Sequence, residues 1–192
     1  MNIGLYFGTF NPIHIGHVVI ANFIVEYSDL DEVWMVVTPQ NPFKTKQSIL
    51  ENYHRLELVF RATEKYSKLK PSNIEFDLPQ PNYTAHTLAY ISEKFPQHDF
   101  SILMGEDNLR NFHKWKNYET ILDQHSIYVY PRISSEKEHK FLTHPKVTLV
   151  NAPIMEISSS MIRKGIKDQK NIQSMLPNAV WEYIDEMNFY KK

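Results

Sequence analysis

The chain has 192 residues, enough for one full-sized domain with a substantial core and short for two. Its 42% hydrophobic and 22% charged content excludes wholesale disorder, and 21 Lys and Arg against 22 Asp and Glu supply no broad positive field for non-specific nucleic-acid binding. Cysteine is absent, which rules out disulfides, thiolate catalysis and Cys-type zinc sites.

The chain opens on Met1-Asn2-Ile3-Gly4, without the basic stretch of a secretory signal, and its longest apolar run, 18–25, is too short and interrupted to span a bilayer. A cytoplasmic protein is expected, with neither nucleic acid nor membrane as partner; a homo-oligomer is compatible with the sequence. Residues 3–7, apolar and aromatic and ending at Gly8, predict a buried strand and a tight turn. Residues 17–27 predict a mostly apolar helix, and 33–37 a second buried strand stopped by Pro39. A polar loop with Pro42 leads to a helix over 52–65 with Leu56, Val59, Phe60 and Thr63 on its inward face. Residues 74–76 read as a short strand, and the spacing of Ala85, Leu88 and Ala89 predicts a helix over 84–94. Strands are expected at 100–104, ending at Gly105, and at 127–130 and 147–150, with a polar excursion over 134–144. The last helix runs from Pro177 to Met187, with Val180, Trp181, Ile184 and Met187 inward.

Alternating strands and helices predict an α/β fold: a Rossmann-like, doubly wound parallel sheet with helices on both faces, as one domain over 1–192. Ligands on such sheets sit beyond the carboxyl ends of the strands, near the point where strand order reverses. The informative residues should therefore follow strands.

After the first strand comes Gly8-Thr9-Phe10-Asn11-Pro12-Ile13-His14-Ile15-Gly16-His17. Gly8 permits close backbone approach, Pro12 stiffens the loop, and Gly16 opens the helix so that its N–H groups and dipole can face an anion. His14 and His17, three residues apart, point the same way on a first helical turn. A lone His-x-x-His is usually just two exposed rings, and a metal pair would need further ligands that the neighbourhood lacks. The glycines, proline and histidines together favour nucleotide phosphate binding. Far along the chain, Ile157-Ser158-Ser159-Ser160-Met161-Ile162-Arg163 combines serines able to cap a helix with an arginine one turn in, whose planar fork suits a polyphosphate.

The first segment resembles the His-x-Gly-His signature of the nucleotidyltransferase superfamily, and the second resembles its Ile-Ser-x-Thr/Ser-x-Ile-Arg motif. The string also resembles class I aminoacyl-tRNA synthetases, but 192 residues leave no room for their tRNA-binding domains. Pro81-Asn82-Tyr83-Thr84-Ala85-His86-Thr87-Leu88, Gly105-Glu106-Asp107 and Phe112-His113-Lys114-Trp115 are similar to stretches of bacterial nicotinate mononucleotide adenylyltransferases. That resemblance implies transfer of the adenylyl group of ATP to nicotinate mononucleotide, with Mg²⁺ delivered alongside ATP. It implies catalytic roles for His14, His17, Lys44 and Arg163. It implies ATP binding by Gly8, Thr9, Phe10, His14, Gly16, His17, Gly105, Asp107, Ile157, Ser158, Ser160 and Arg163. Thr84, Thr87, Asp107, Trp115 and Lys116 are implied for the mononucleotide, with no protein-held metal site.

The bland readings are a helix start for Thr84, a core tryptophan for Trp115 and a solvated loop lysine for Lys44. The chain departs from the family at Phe7, where a glycine is usual, at Asn11 for a common Asp, and at Phe43 for a common His; Arg132 is a weak candidate for the adenine side. Competing functions are the same transfer to nicotinamide mononucleotide or to phosphopantetheine, and a catalytically idle nucleotide-binding module. Threonine is usual at position 14 in the phosphopantetheine enzymes, and an idle module should have lost its phosphate-binding residues.

Overall fold

The computed structural model describes residues 1–39, 49–133 and 140–191. Its central strands are largely apolar on both sides because they run parallel in the middle of a layered sheet, where neither face meets water. β1 (Asn2–Gly8), β2 (Glu32–Val37), β3 (Leu69–Ser72), β4 (Asp99–Gly105), β5 (Ile127–Tyr130) and β6 (Val147–Leu149) lie in the order β3-β2-β1-β4-β5-β6, every pairing parallel. The helices are α1 (Ile15–Glu26), α2 (Asn52–Thr63), α3 (Thr84–Lys94), α4 (Glu106–Arg110), α5 (Tyr118–Gln124), α6 (Ser159–Lys167) and α7 (Asn178–Glu186).

Strand residues alternate between two cores, as a period of two requires. Tyr6, Val33, Met35 and Val37 face one core with Ile24 of α1, Leu58 of α2, Ile162 of α6 and Ile184 of α7. Ile3, Leu5 and Val36 face the other with Leu88 and Ile91 of α3 and Ile121 of α5. The sheet is therefore wound on both faces, as the alternation of elements predicts. Strand order steps outward from β1 to β3, then restarts with β4 on the other side of β1. The crevice beyond the ends of β1 and β4 is the switch point of the sheet. No helix among the described residues is long and apolar enough to cross a membrane.

Three sequence expectations are corrected. The strand expected at 74–76 lies at Leu69–Ser72, while Phe76 closes a turn onto the Asn73 carbonyl at 2.9 Å. β3 contains Pro71, and it accepts a proline because it is an edge strand. α2 buries Arg55, Leu58, Val59, Ala62 and Thr63, and leaves Phe60 exposed, because the Arg55 side chain turns inward to four oxygen partners. α7 turns Tyr183 inward beside Val180 and Ile184, while Met187, just past its last turn, is exposed.

Candidate active site at the switch point

The carboxyl ends of β1, β2, β4 and β5 frame two adjoining hollows. The larger is an open cleft of about 620 Å³ whose wall includes Gly8, Thr9, Phe10, His17, Asp107, Arg132, Ser158, Ser160 and Arg163. The smaller, about 110 Å³, is lined by Glu75, Asn82, Thr84, Trp115 and Lys116 among others. Tyr6, Phe7, Thr38, Asn108 and Tyr130 belong to both and form the shared wall.

Local packing explains the glycines. A Cβ on Gly8 would come within 2.6 Å of the Phe10 ring, so this glycine makes room for an aromatic side chain that is itself buried. Phe10 takes a positive φ of 46°, which turns the chain sharply after the strand. A Cβ on Gly16 would meet His14 Nδ1 at 3.1 Å, and one on Gly105 would strike Asp107 Oδ1 at 2.4 Å. Each glycine thus seats a neighbouring candidate side chain.

The two histidines stack at 3.7 Å between ring centroids. His14 is the residue before α1 and is buried, whereas His17 is half-buried and lies in the cleft. His17 Nδ1 accepts the backbone N–H of His14 at 3.3 Å, so the fitting tautomer carries its proton on Nε2. Burial first, and the nearby Arg132 charge second, push His14 down to a pKa of about 4. His14 is therefore neutral at pH 7, with a buried Nδ1 that has no hydrogen-bond partner among the described residues.

The second motif closes over the first. Ser158 caps α6, its Oγ accepting the Met161 N–H at 3.2 Å. Ser159 Oγ donates to the Pro12 carbonyl at 2.8 Å, and Arg163 donates to the Asn11 carbonyl at 2.8 Å and to Ser160 Oγ at 3.3 Å. These bonds hold the α6 N-terminus and its arginine beside the α1 N-terminus, so two positive helix ends share one cleft. Asn11 is the junction: its Oδ1 accepts the Tyr190 hydroxyl at 2.7 Å and the Leu50 N–H at 3.2 Å.

Arg55 braces this arrangement from below. Its guanidinium donates to the carbonyls of Leu50, Thr9 and Thr38 at 2.9, 2.7 and 2.8 Å, tying α2 to the ends of β1 and β2. Burial lowers its pKa to about 10, which leaves it charged at pH 7.

Of the residues expected from sequence, Gly8, Thr9, Phe10, His17, Asp107, Ser158, Ser160 and Arg163 come together in the larger cleft. His14 and Gly16 lie directly behind them, and Gly105 backs Asp107. Ile157 packs against the core instead of lining the cleft. Thr84, Trp115 and Lys116 share the smaller hollow, where Lys116 Nζ lies 4.8 Å over the Tyr83 ring. Thr87 is buried beneath it and donates to Glu75 at 2.6 Å. Asp107 belongs to the larger cleft, while its neighbour Asn108 reaches both. Lys44 lies outside the described residues.

Sequence reading missed Tyr6 and Tyr130, whose hydroxyls meet at 3.0 Å in the shared wall, and Glu75, Asn82, Thr38 and Asn108. Glu75, within a run expected to be strand, was the legible one: an acidic residue between apolar neighbours calls for a partner. Arg132 donates to the Met155 carbonyl at 2.7 Å and lies 3.9 Å from Asp107 Oδ1.

The cytidylyltransferase-like family matches residues 5–165. The chain is 66% identical over 190 residues to a Christiangramia forsetii protein named "Probable nicotinate-nucleotide adenylyltransferase", covering 98% of each. It is 62% identical over 193 residues to a Flavobacterium psychrophilum protein of the same name, covering 100% of each. Among solved structures, a nicotinic acid mononucleotide adenylyltransferase of Plasmodium falciparum complexed with NaAD is similar in fold, with a TM-score of 0.84 at 23% identity over 98% of this chain and 97% of that one.

Proposed function

Since this chain belongs to the cytidylyltransferase-like family, among its nicotinate-nucleotide adenylyltransferases, we propose that the two hollows bind ATP and nicotinate mononucleotide and join them as deamido-NAD, releasing pyrophosphate. The observation that carries this reading is the shared wall. A cleft rich in phosphate donors adjoins a small ring-sized hollow, so one dinucleotide could extend through both.

A phosphate oxygen of the mononucleotide attacks the α-phosphorus of ATP, the new P–O bond forms, and the bond to the β-phosphate breaks. No covalent enzyme intermediate is needed, so the protein's task is in-line positioning and charge neutralisation. His17 donates from Nε2 to the α-phosphate, and neutral His14 supports it from behind. Arg163, Ser158, Ser160 and Lys44 hold the phosphates that depart. Mg²⁺ would come with ATP and neutralise the polyphosphate; Asp107, with its largely exposed carboxylate in the cleft, is the residue suited to hold it. We read the whole chain as one such catalytic domain.

The mononucleotide hollow favours an anion. The N-terminus of α3 opens into it at Thr84, Lys116 adds a positive charge, and Trp115 can cover a pyridine ring. One mismatched buried contact costs about 1–3 kcal/mol, so nicotinate mononucleotide should exceed the nicotinamide form roughly tenfold to a hundredfold in kcat/KM. The test is pyrophosphate release from ATP with nicotinate mononucleotide, nicotinamide mononucleotide or phosphopantetheine. Release with the first, far less with the second and none with the third is expected. Preference for either of the others overturns the assignment.

A further inference from the structure

Glu75 is a buried acid that adenylyl transfer leaves unused. It sits in the turn after β3, 1% exposed, in the wall of the smaller hollow with Thr84, Trp115 and Lys116. Oε1 accepts the Thr87 hydroxyl at 2.6 Å, and the Glu75 backbone carbonyl accepts Asn82 Nδ2 at 3.2 Å. The turn is thereby locked against the first turn of α3. Among the described residues Oε2 is buried with no hydrogen-bond partner. Among the described residues no cation forms an ion pair with it.

A carboxylate beside the binding place of an anionic ring looks self-defeating, since two like charges would repel. Burial removes that conflict. A carboxyl group withdrawn from water, with only the neutral hydroxyls of Thr87 and Thr38 to oppose the effect, is pushed toward its protonated form. The direction is the same in the site's electrostatics, where burial raises Glu75 against the opposing influence of the Thr87 and Thr38 hydroxyls. With Oε1 engaged by Thr87, the proton belongs on Oε2, and the orphan atom becomes an O–H donor in need of an acceptor.

We infer that Glu75 is a specificity-determining residue of the mononucleotide hollow, donating a neutral carboxylic O–H to the carboxylate on the pyridine ring. This rests on the proposed function of the same site. Glu75 and the first-turn N–H groups of α3 offer donors to one hollow, so both oxygens of a ring carboxylate find partners. A ring amide satisfies one side only and turns its NH₂ against the other.

The experiment measures kcat/KM for nicotinate and nicotinamide mononucleotide in the wild type, Glu75→Gln and Glu75→Met, with melting temperatures alongside. Gln keeps an oxygen for Thr87 and offers N–H, so its preference should stay within about threefold of wild type. Met lacks the donor, so the acid substrate should lose about tenfold to a hundredfold while the amide changes little. A rise in acid turnover for Glu75→Gln would mean a charged, repelling Glu75 and overturn the inference. So would an equal loss of both substrates in Glu75→Met, which marks a purely structural clamp. If Glu75→Met does not fold, infrared difference spectra decide: a protonated-carboxyl band present at neutral pH, shifted by nicotinate mononucleotide and missing from Glu75→Gln, is expected. Its absence from the wild type overturns the inference. A wild type that releases no pyrophosphate with nicotinate mononucleotide refutes the proposed function itself, whereas an active wild type with an unchanged ratio in Glu75→Met refutes the role of Glu75 alone.

Discussion

His14 and His17 sit in one motif and stack on each other, yet burial divides their work. His17 reaches the cleft and is only half-buried, its ring meeting Phe10 and Tyr6 edge-on, so His17→Ala should still fold, at some cost in stability, and lose about 10²-fold or more in kcat, close to 3 kcal/mol of transition-state stabilisation. Near-normal turnover in a purified, folded variant would refute its assigned contact with the α-phosphate. His14, by contrast, should reveal itself in stability. Its pKa falls from 6.5 to about 4 on folding, so the unfolded chain takes up a proton that the native state refuses. Its stabilising contribution is complete above pH 6.5 and is lost as pH falls toward 4, an effect on the order of 3 kcal/mol. Urea unfolding at pH 7.5 and pH 4.5 should show a smaller acid-side loss in His14→Gln than in the wild type. Glu75 works in the opposite sense, its raised pKa stabilising the fold at low pH and ceasing to do so as pH rises through it.

At the scale of elements, the site is a meeting of helix N-termini: α1 and α6 at the cleft, α3 at the smaller hollow. Arg163 couples two of them, because one guanidinium reaches both the Asn11 carbonyl in the loop before α1 and Ser160 at the start of α6. An ammonium is a point charge and lacks that fork. Arg163→Lys should therefore impair ATP use, with kcat/KM for ATP falling at least about tenfold and the KM for the mononucleotide nearly unchanged. Unaltered ATP kinetics would detach α6 from the phosphate role. The loop before α1 is also held from the far end of the chain through the Tyr190–Asn11 bond. At Asn11 the amide oxygen accepts both donors, a role that the family's usual Asp would also fill, so these bonds do not explain the departure.

For the whole molecule, the consequence of two hollows with a common wall is that the product fills both at once. Deamido-NAD should raise the melting temperature more than AMP or nicotinate mononucleotide alone at equal concentration, because stabilisation follows RT ln(1 + [L]/Kd) and the joined ligand gains from both halves. A product shift no larger than that of AMP would mean that the smaller hollow does not receive the pyridine end.

By itself the sequence determined the alternation of strands and helices, the two phosphate motifs and the stretch from Pro81 to Leu88, and with them fold, family and most of the cleft. Those signals are local: period, caps and clustered residue types survive without knowledge of what packs against them. The β3 strand escaped because a proline in its middle argues against a strand until the strand is known to lie at an edge. The inward face of α2 escaped because Arg55 reads as surface until its carbonyl partners are in place. Only the tertiary structure decided that Tyr6 meets Tyr130 across 124 positions, that Arg163 grips Asn11 across 152, and that Glu75 is shut away from water beneath Thr87. Burial and pairing belong to the packed chain, and they alone push an ordinary glutamate toward its protonated form and make an ordinary histidine refuse a proton.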